Sequence, residues 1–363
     1  MAYRNHLIVL LAILLAGAAV GEVPEKLQQR ILSKAPQIDA NRDGTVTIEE
    51  LRKAYPDLSE RHQEAIRKHL PEIVDDQRGL AGQEDAGGQP FAFKRAAGDP
   101  ETARKKGYNC LLLGHSFFVP TVGQLDDHAQ SLGLTNHEQF IVKSGGGSGS
   151  PGRLWSSGKR DATHAKRLLE SGNVELLAMT AHHIGSTVED YKRWVDLAVK
   201  HNPRTVVVIQ SPWAYLMRYP ERKEMHELES YTAAVKRAND AVHGVIDQLR
   251  KAYPDTTFIC IPQGQFMVEL WRLHENDKLP EITDVLGKGD ARERAQHSIF
   301  RDKVGHAGEL PQKVGPLFWL YPIYGVDPAE YEAFSTGTQL DLKPLVKQIC
   351  DNDPYCIFDK SPQ

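Results

Sequence analysis

From Tyr108 onward the chain alternates short apolar runs with longer stretches of helical spacing. The runs Tyr108 to Leu113, Gln139 to Val142, Glu175 to Thr180, Thr205 to Gln210 and Thr257 to Pro262 show no polar alternation. Strands of that kind are buried on both faces. Between them the apolar positions recur every three or four residues, as in an amphipathic helix. Leu125, Ala129 and Leu132 make one such stripe; Tyr191, Val195 and Ala198 make a second. Leu228, Tyr231, Val235, Ala238, Val242, Val245 and Leu249 make a third. Strands separated by helices predict an α/β fold with a parallel sheet covered on both faces. In such sheets the functional cleft lies beyond the carboxyl ends of the strands.

The residues before Tyr108 follow other patterns. Leu7 to Val20 is an unbroken apolar run of fourteen residues after a start containing Arg4. The run is short for a membrane span and ends in small residues, which predicts a signal peptide over 1–21. An uncleaved anchor is the other reading. Residues 39–50 read Asp-Ala-Asn-Arg-Asp-Gly-Thr-Val-Thr-Ile-Glu-Glu. Oxygen donors at Asp39, Asn41, Asp43, Thr45, Thr47 and Glu50, with Gly44 at the sharp turn, match the EF-hand ladder. Calcium needs six to eight hard oxygens, and alternate loop positions supply them. The expectation is an all-α calcium module over 22–73. Only one loop is present, although EF-hands usually pair. Residues 74–106 lose apolar periodicity and collect Gly and Pro, which reads as a linker. The main domain is expected over 107–336, with a tail over 337–363 packing on it.

Composition changes this picture little. The 363 residues are 40% hydrophobic and 25% charged, with a formal net charge of −4. That balance excludes a strongly basic nucleic-acid binder and a disordered chain. Export makes disulfides accessible to the four Cys. Cys350 and Cys356 flank a short turn-rich loop that a bridge would close. Cys110 and Cys260 sit inside apolar runs and read as buried thiols.

The ends of the apolar runs carry the candidate chemistry. Gly114-His115-Ser116 follows the first, Ser144 to Ser150 the second, and His182-His183 the third. Ser211 and Trp213 follow the fourth, Gln263 and Gln265 the fifth. Ser116 stands at a strand-to-helix turn, as a nucleophile or as a capping serine. Asp302 and His306, four residues apart, could orient and supply a base for it.

These blocks resemble the SGNH (GDSL-type) hydrolases, over about residues 107 to 326. The first family block is an apolar strand ending in Gly-Asp-Ser or Gly-Asn-Ser; here it is Leu111-Leu112-Leu113-Gly114-His115-Ser116. The Gly block is Ser144 to Gly149, and the last block is Asp302 to His306 followed by Gly315 and Phe318 to Tyr321. The resemblance implies a three-layer α/β/α sandwich with a parallel five-stranded sheet of flavodoxin-like type. It implies Ser116 as nucleophile and His306 as base with Asp302. The Ser116 N–H and Gly146 or Gly147 would form the oxyanion hole, with His182 or His183 contributing. No metal is needed for that chemistry.

Three departures mark a divergent member. The Asp–His spacing is one residue longer than the family's, and His115 replaces an acid or amide. The Gly-x-Asn-Asp block is replaced by Met179-Thr180-Ala181-His182-His183. His115, Trp155, Gln210 and Trp213 are candidate substrate contacts. The expectation is a secreted or periplasmic serine esterase acting on an ester-bearing small molecule or an acylated carbohydrate. It would carry a structural calcium ion, with no nucleic-acid partner and no transmembrane anchor. A non-catalytic, calcium-dependent glycan-binding protein is the alternative.

Overall fold

The computed structural model of the chain describes residues 91–96, 99–218, 223–224 and 227–358. The expected leader and the loop Asp39 to Glu50 lie outside the described residues. Apart from Phe91, the described residues belong to the unit Ala92–Gln363.

Five strands form one parallel sheet: β1 (Asn109–Gly114), β2 (Glu138–Lys143), β3 (Leu176–Thr180), β4 (Val206–Gln210) and β5 (Phe258–Ile261). Their order is β2-β1-β3-β4-β5. This is a doubly wound order, which reverses between β1 and β3 and opens a crevice there. Every residue of β1, β3, β4 and β5 is buried, as continuous apolar runs require. A small parallel pair, β6 (Asp284–Leu286) and β7 (Ser298–Phe300), stands apart from this sheet.

The helices in chain order are α1 (Pro100–Lys106), α2 (Val119–Val122), α3 (Leu125–Ser131), α4 (Pro151–Trp155), α5 (Arg160–Glu170) and α6 (Val188–His201). They continue as α7 (Leu228–Ala252), α8 (Gln263–Glu275), α9 (Ala291–Gln296), α10 (Glu309–Val314), α11 (Leu317–Trp319, running into a π turn to Tyr324) and α12 (Lys343–Asn352). Alternation along the strands separates two cores. Cys110, Leu112, Ala178, Val208, Ile259 and Ile261 join Phe118, Phe266, Phe318 and Trp319 in one cluster. Leu111, Leu113, Leu177, Met179, Val207 and Ile209 are buried on the opposite face. Among the described residues no helix is long and apolar enough to cross a membrane.

Two expectations need correction. The segment read as linker contains α1, which opens on Asp99, whose side chain accepts the N–H of Thr102 at 2.8 Å. That capping signal is local and leaves no apolar stripe to detect. Cys350 and Cys356 are free and buried rather than bridged. Their loop is closed by Asp353 instead, whose carboxylate accepts N–H bonds from Tyr355 (2.9 Å) and Asn239 (3.0 Å). Cys110 and Cys260 are buried free thiols, as expected.

Candidate active site

The turn that carries Ser116 grows directly out of β1. Gly114 ends the strand, and a side chain there would collide with the Phe118 ring, 2.4 Å away. The chain then reverses over His115 to Phe118, because the His115 carbonyl accepts the N–H groups of Phe118 (2.9 Å) and Val119 (3.1 Å). Ser116 is carried at the tip of this turn, beyond the carboxyl end of the sheet.

Its partner arrives from the other end of the sequence. Ser116 Oγ lies 2.8 Å from His306 Nε2, and His306 Nδ1 lies 2.7 Å from Asp302 Oδ2. The second carboxylate oxygen, Oδ1, accepts backbone N–H bonds from Val304, Gly305 and His306 at 3.1 to 3.2 Å. Burial works to raise the Asp302 pKa, but the His306 ring and these N–H groups outweigh it and hold the carboxyl below its ordinary value. An ionised Asp302 only accepts, so Nδ1 of His306 carries hydrogen and Nε2 is left to accept from Ser116. This tautomer is inferred from the bonding pattern.

The chain between Asp302 and His306 turns at Gly305. The φ of this residue, +103°, lies in the region that favours glycine. The loop is fastened from outside by Trp213, whose Nε1–H donates to the Gly305 carbonyl at 2.7 Å. Phe117 packs between them, stacked on Trp213 at 4.8 Å and edge-on to His306 at 5.4 Å.

The Gly block after β2 forms a 3₁₀ turn over Gly146–Gly149. The first N–H groups of such a turn have no partner within it. Gly146 adopts φ +49°, and a side chain on Gly147 would press on the His182 ring at 3.1 Å. A side chain on Gly149 would meet the Gly114 carbonyl and His115 Cβ, at 2.7 and 2.8 Å. Glycine is therefore needed here for close approach to the Ser116 turn. Lys159 steadies the block by donating to Ser144 Oγ at 3.1 Å, and Ser144 Oγ contacts Ser148 Oγ at 2.7 Å.

The two histidines after β3 stack on each other at 4.2 Å. Nδ1 of His182 faces the Ile184 N–H at 3.0 Å, so it accepts. Nε2 therefore carries the hydrogen and faces Tyr215 Oη at 2.8 Å. Burial first, and then the neighbouring His183, push the His182 pKa down to about 4. Burial also lowers His183. His182 thus has both ring nitrogens engaged, so its link to an oxyanion would run through Tyr215 rather than directly. Tyr215 had no signal in the sequence; only the structure pairs it with His182.

Four proposed substrate contacts are placed elsewhere. Gln210 is fully buried; its amide accepts from Thr180 Oγ1 at 2.7 Å and donates to Gln263 Oε1 at 2.7 Å. Trp213 is buried as the brace of the His306 loop. Trp155 spends its ring on Trp194 (5.0 Å) and Lys166 (4.5 Å), within the α4–α6 layer. His115 is only 1% exposed, and its ring is enclosed by the turn it belongs to. His115, Gln210 and Trp213 are thus used internally, and only Trp155 keeps partial exposure.

The EF-hand residues Asp39, Asn41, Asp43, Thr45, Thr47 and Glu50 lie outside the described residues. Among the described residues one other set of metal-type donors converges: His243, Cys260 and Asp353, within 4.8 Å of one another. Asp353 there already accepts from Asn239 and Tyr355 and pairs with His243 at 3.1 Å, so the set serves as an internal anchor. No family model and no curated protein matches the sequence.

Proposed function

We propose that the protein is a serine ester hydrolase of the SGNH type. The observation that carries this reading is the continuous Ser116–His306–Asp302 relay beyond the carboxyl end of β1, with contacts of 2.8 and 2.7 Å. In the proposed reaction Ser116 Oγ attacks the ester carbonyl carbon while His306 Nε2 takes its proton. The resulting imidazolium is held by Asp302. The tetrahedral oxyanion is met by the Ser116 N–H and the leading N–H groups of the Gly146–Gly149 turn. Collapse expels the alcohol, which receives the proton from His306 and leaves an acyl-Ser116. Water, deprotonated by His306, then releases the acid and restores the serine. The substrate class is an ester; an acylated carbohydrate rests on the expected export alone, since Trp213 is buried and the partly buried Trp155 spends its ring on Trp194 and Lys166.

A fluorophosphonate probe tests the reading. The wild type is expected to be labelled, Ser116→Ala to show no labelling, and short-chain p-nitrophenyl esters to be turned over by the wild type only. Pure, folded protein that is neither labelled nor active would sink the proposal.

Calcium at Asp39 to Glu50 is a separate proposal that rests on the loop's oxygen ladder. Millimolar calcium is expected to raise the melting temperature of the full chain, and Asp39→Ala to remove that rise. An identical melting temperature with calcium and with chelator would refute it.

A further inference from the structure

We propose that His115 is a positioning residue: a neutral strap whose two ring nitrogens fix the backbone around Ser116. The inference rests on Ser116 as the nucleophile of the reading above. Nδ1 of His115 lies 3.2 Å from the Phe117 N–H, and Nε2 lies 3.1 Å from the Ala181 carbonyl oxygen. An amide N–H only donates and a carbonyl only accepts. Nδ1 is therefore bare and Nε2 carries the hydrogen. The ring needs one nitrogen of each kind, so it works only when neutral.

The bond to Phe117 closes a small ring around Ser116, in the manner of an Asx turn, from the side chain of one residue to the N–H two residues on. The second bond ties that turn to the end of β3, where Ala181 in turn donates its N–H to the Gln210 carbonyl at 3.0 Å. The Gly block packs on the same residue, since a side chain on Gly149 would reach His115 Cβ at 2.8 Å. The ring thus joins three parts that must keep register: the nucleophile turn, the Gly block and the β3 end. It does not itself face a substrate, being buried. An aspartate here would satisfy the Phe117 N–H but would be too short to reach the Ala181 carbonyl, so that second tie would be lost. Burial and the neighbouring rings of His182, His306 and His183 favour the neutral form, and its pKa falls to about 4.

Isosteric variants separate the two bonds in the full-length chain. Asparagine places an acceptor where Nδ1 is; glutamine places a donor where Nε2 is; leucine supplies neither. The rate of fluorophosphonate labelling and kcat and KM on p-nitrophenyl acetate are to be measured for each. His115→Asn is expected to stay within about fivefold of the wild type. His115→Gln and His115→Leu are expected to lose about a hundredfold in kcat with KM little changed, the loss expected for a misplaced reacting group. Nitrogen-15 NMR of wild-type His115 is expected to show hydrogen on Nε2 only, with no titration at pH 5 or above. Hydrogen on Nδ1, ordinary titration, or a leucine variant as reactive as the wild type would overturn the strap. So would equal kcat losses in all three variants. If the wild type is not labelled at all, the esterase reading falls and the NMR pattern decides the strap by itself.

Discussion

At the scale of single residues, burial holds three histidines around Ser116, His115, His182 and His183, toward the neutral form. His115 holds its pKa at about 4 in the folded chain, against 6.5 for an ordinary histidine. Between those values the unfolded chain binds the proton and the folded chain does not, so stability falls as pH drops through that window. For the buried His115 the loss is about 3 kcal/mol once both limits are passed. His182 shifts in the same direction but is partly exposed, and water discounts its share. Asp302, with a lowered pKa, adds its own loss only at still lower pH. Denaturant melts at pH 7.0, 5.5 and 4.5 should show falling stability, with a shallower fall in His115→Asn. A flat profile in the wild type would contradict the neutral, buried ring. The residues of the Ser116–His306–Asp302 relay were legible because Ser, His and Asp in family-like blocks stand out by type. His115, Gln210 and Trp213 were not, because a polar group at a strand end serves equally well as an internal strut. Sequence pattern cannot separate those two uses before the bonds are seen.

At the scale of elements, the five strands were legible, since uninterrupted apolar runs have no other place in a sheet covered on both faces. Three helices of ten or more residues were not. In α5 the apolar positions are only Ala162, Ala165, Leu168 and Leu169 among charges, a faint stripe. In α8 the residues Phe266, Met267, Val268, Leu270 and Trp271 are all buried, so the helical period is washed out. In α12 the run lies in the stretch read as a tail, though Val346, Ile349 and Cys350 are buried. The last block shows how one residue decides whether an element works. The chain between Asp302 and His306 turns at Gly305, whose φ of +103° lies in the region that favours glycine. A side chain there is strained by about 1–3 kcal/mol. It would also approach the Leu216 N atom at 3.2 Å. Gly305→Ala should therefore lower the melting temperature modestly and slow serine labelling far more, because the Asp302–His306 loop shifts. Wild-type labelling in that variant would show that the loop does not need glycine.

At the scale of the molecule, the two ends of the sheet do different work. A cavity of about 440 Å³ sits at the amino ends of the strands, between Arg95, Tyr108, Asn173, Glu175 and Arg204, at the pole opposite Ser116. The side edge at β5 is closed by the C-terminal segment, whose Tyr355 carbonyl accepts the N–H of Cys260 at 2.8 Å. An open strand edge invites pairing with other chains, and this contact blunts it. The segment is held by Asp353, buried and bonded to Asn239 (3.0 Å) and His243 (3.1 Å) on α7. Tyr355 stacks on the same His243 at 4.0 Å. Burial works against the Asp353 carboxylate, but the bonds from His243 and Asn239 prevail and lower its pKa, so the anchor is charged at neutral pH. Asp353→Ala removes the shared acceptor and leaves buried donors unmet, a loss of about 2–3 kcal/mol. The expected result is a clearly lower melting temperature and concentration-dependent aggregation on heating, with the serine-labelling rate per folded molecule unchanged at 25 °C. An unchanged melting temperature would mean that the tail is not what closes this edge. A fall in labelling at full folding would mean that the tail reaches the site through β4 and β5.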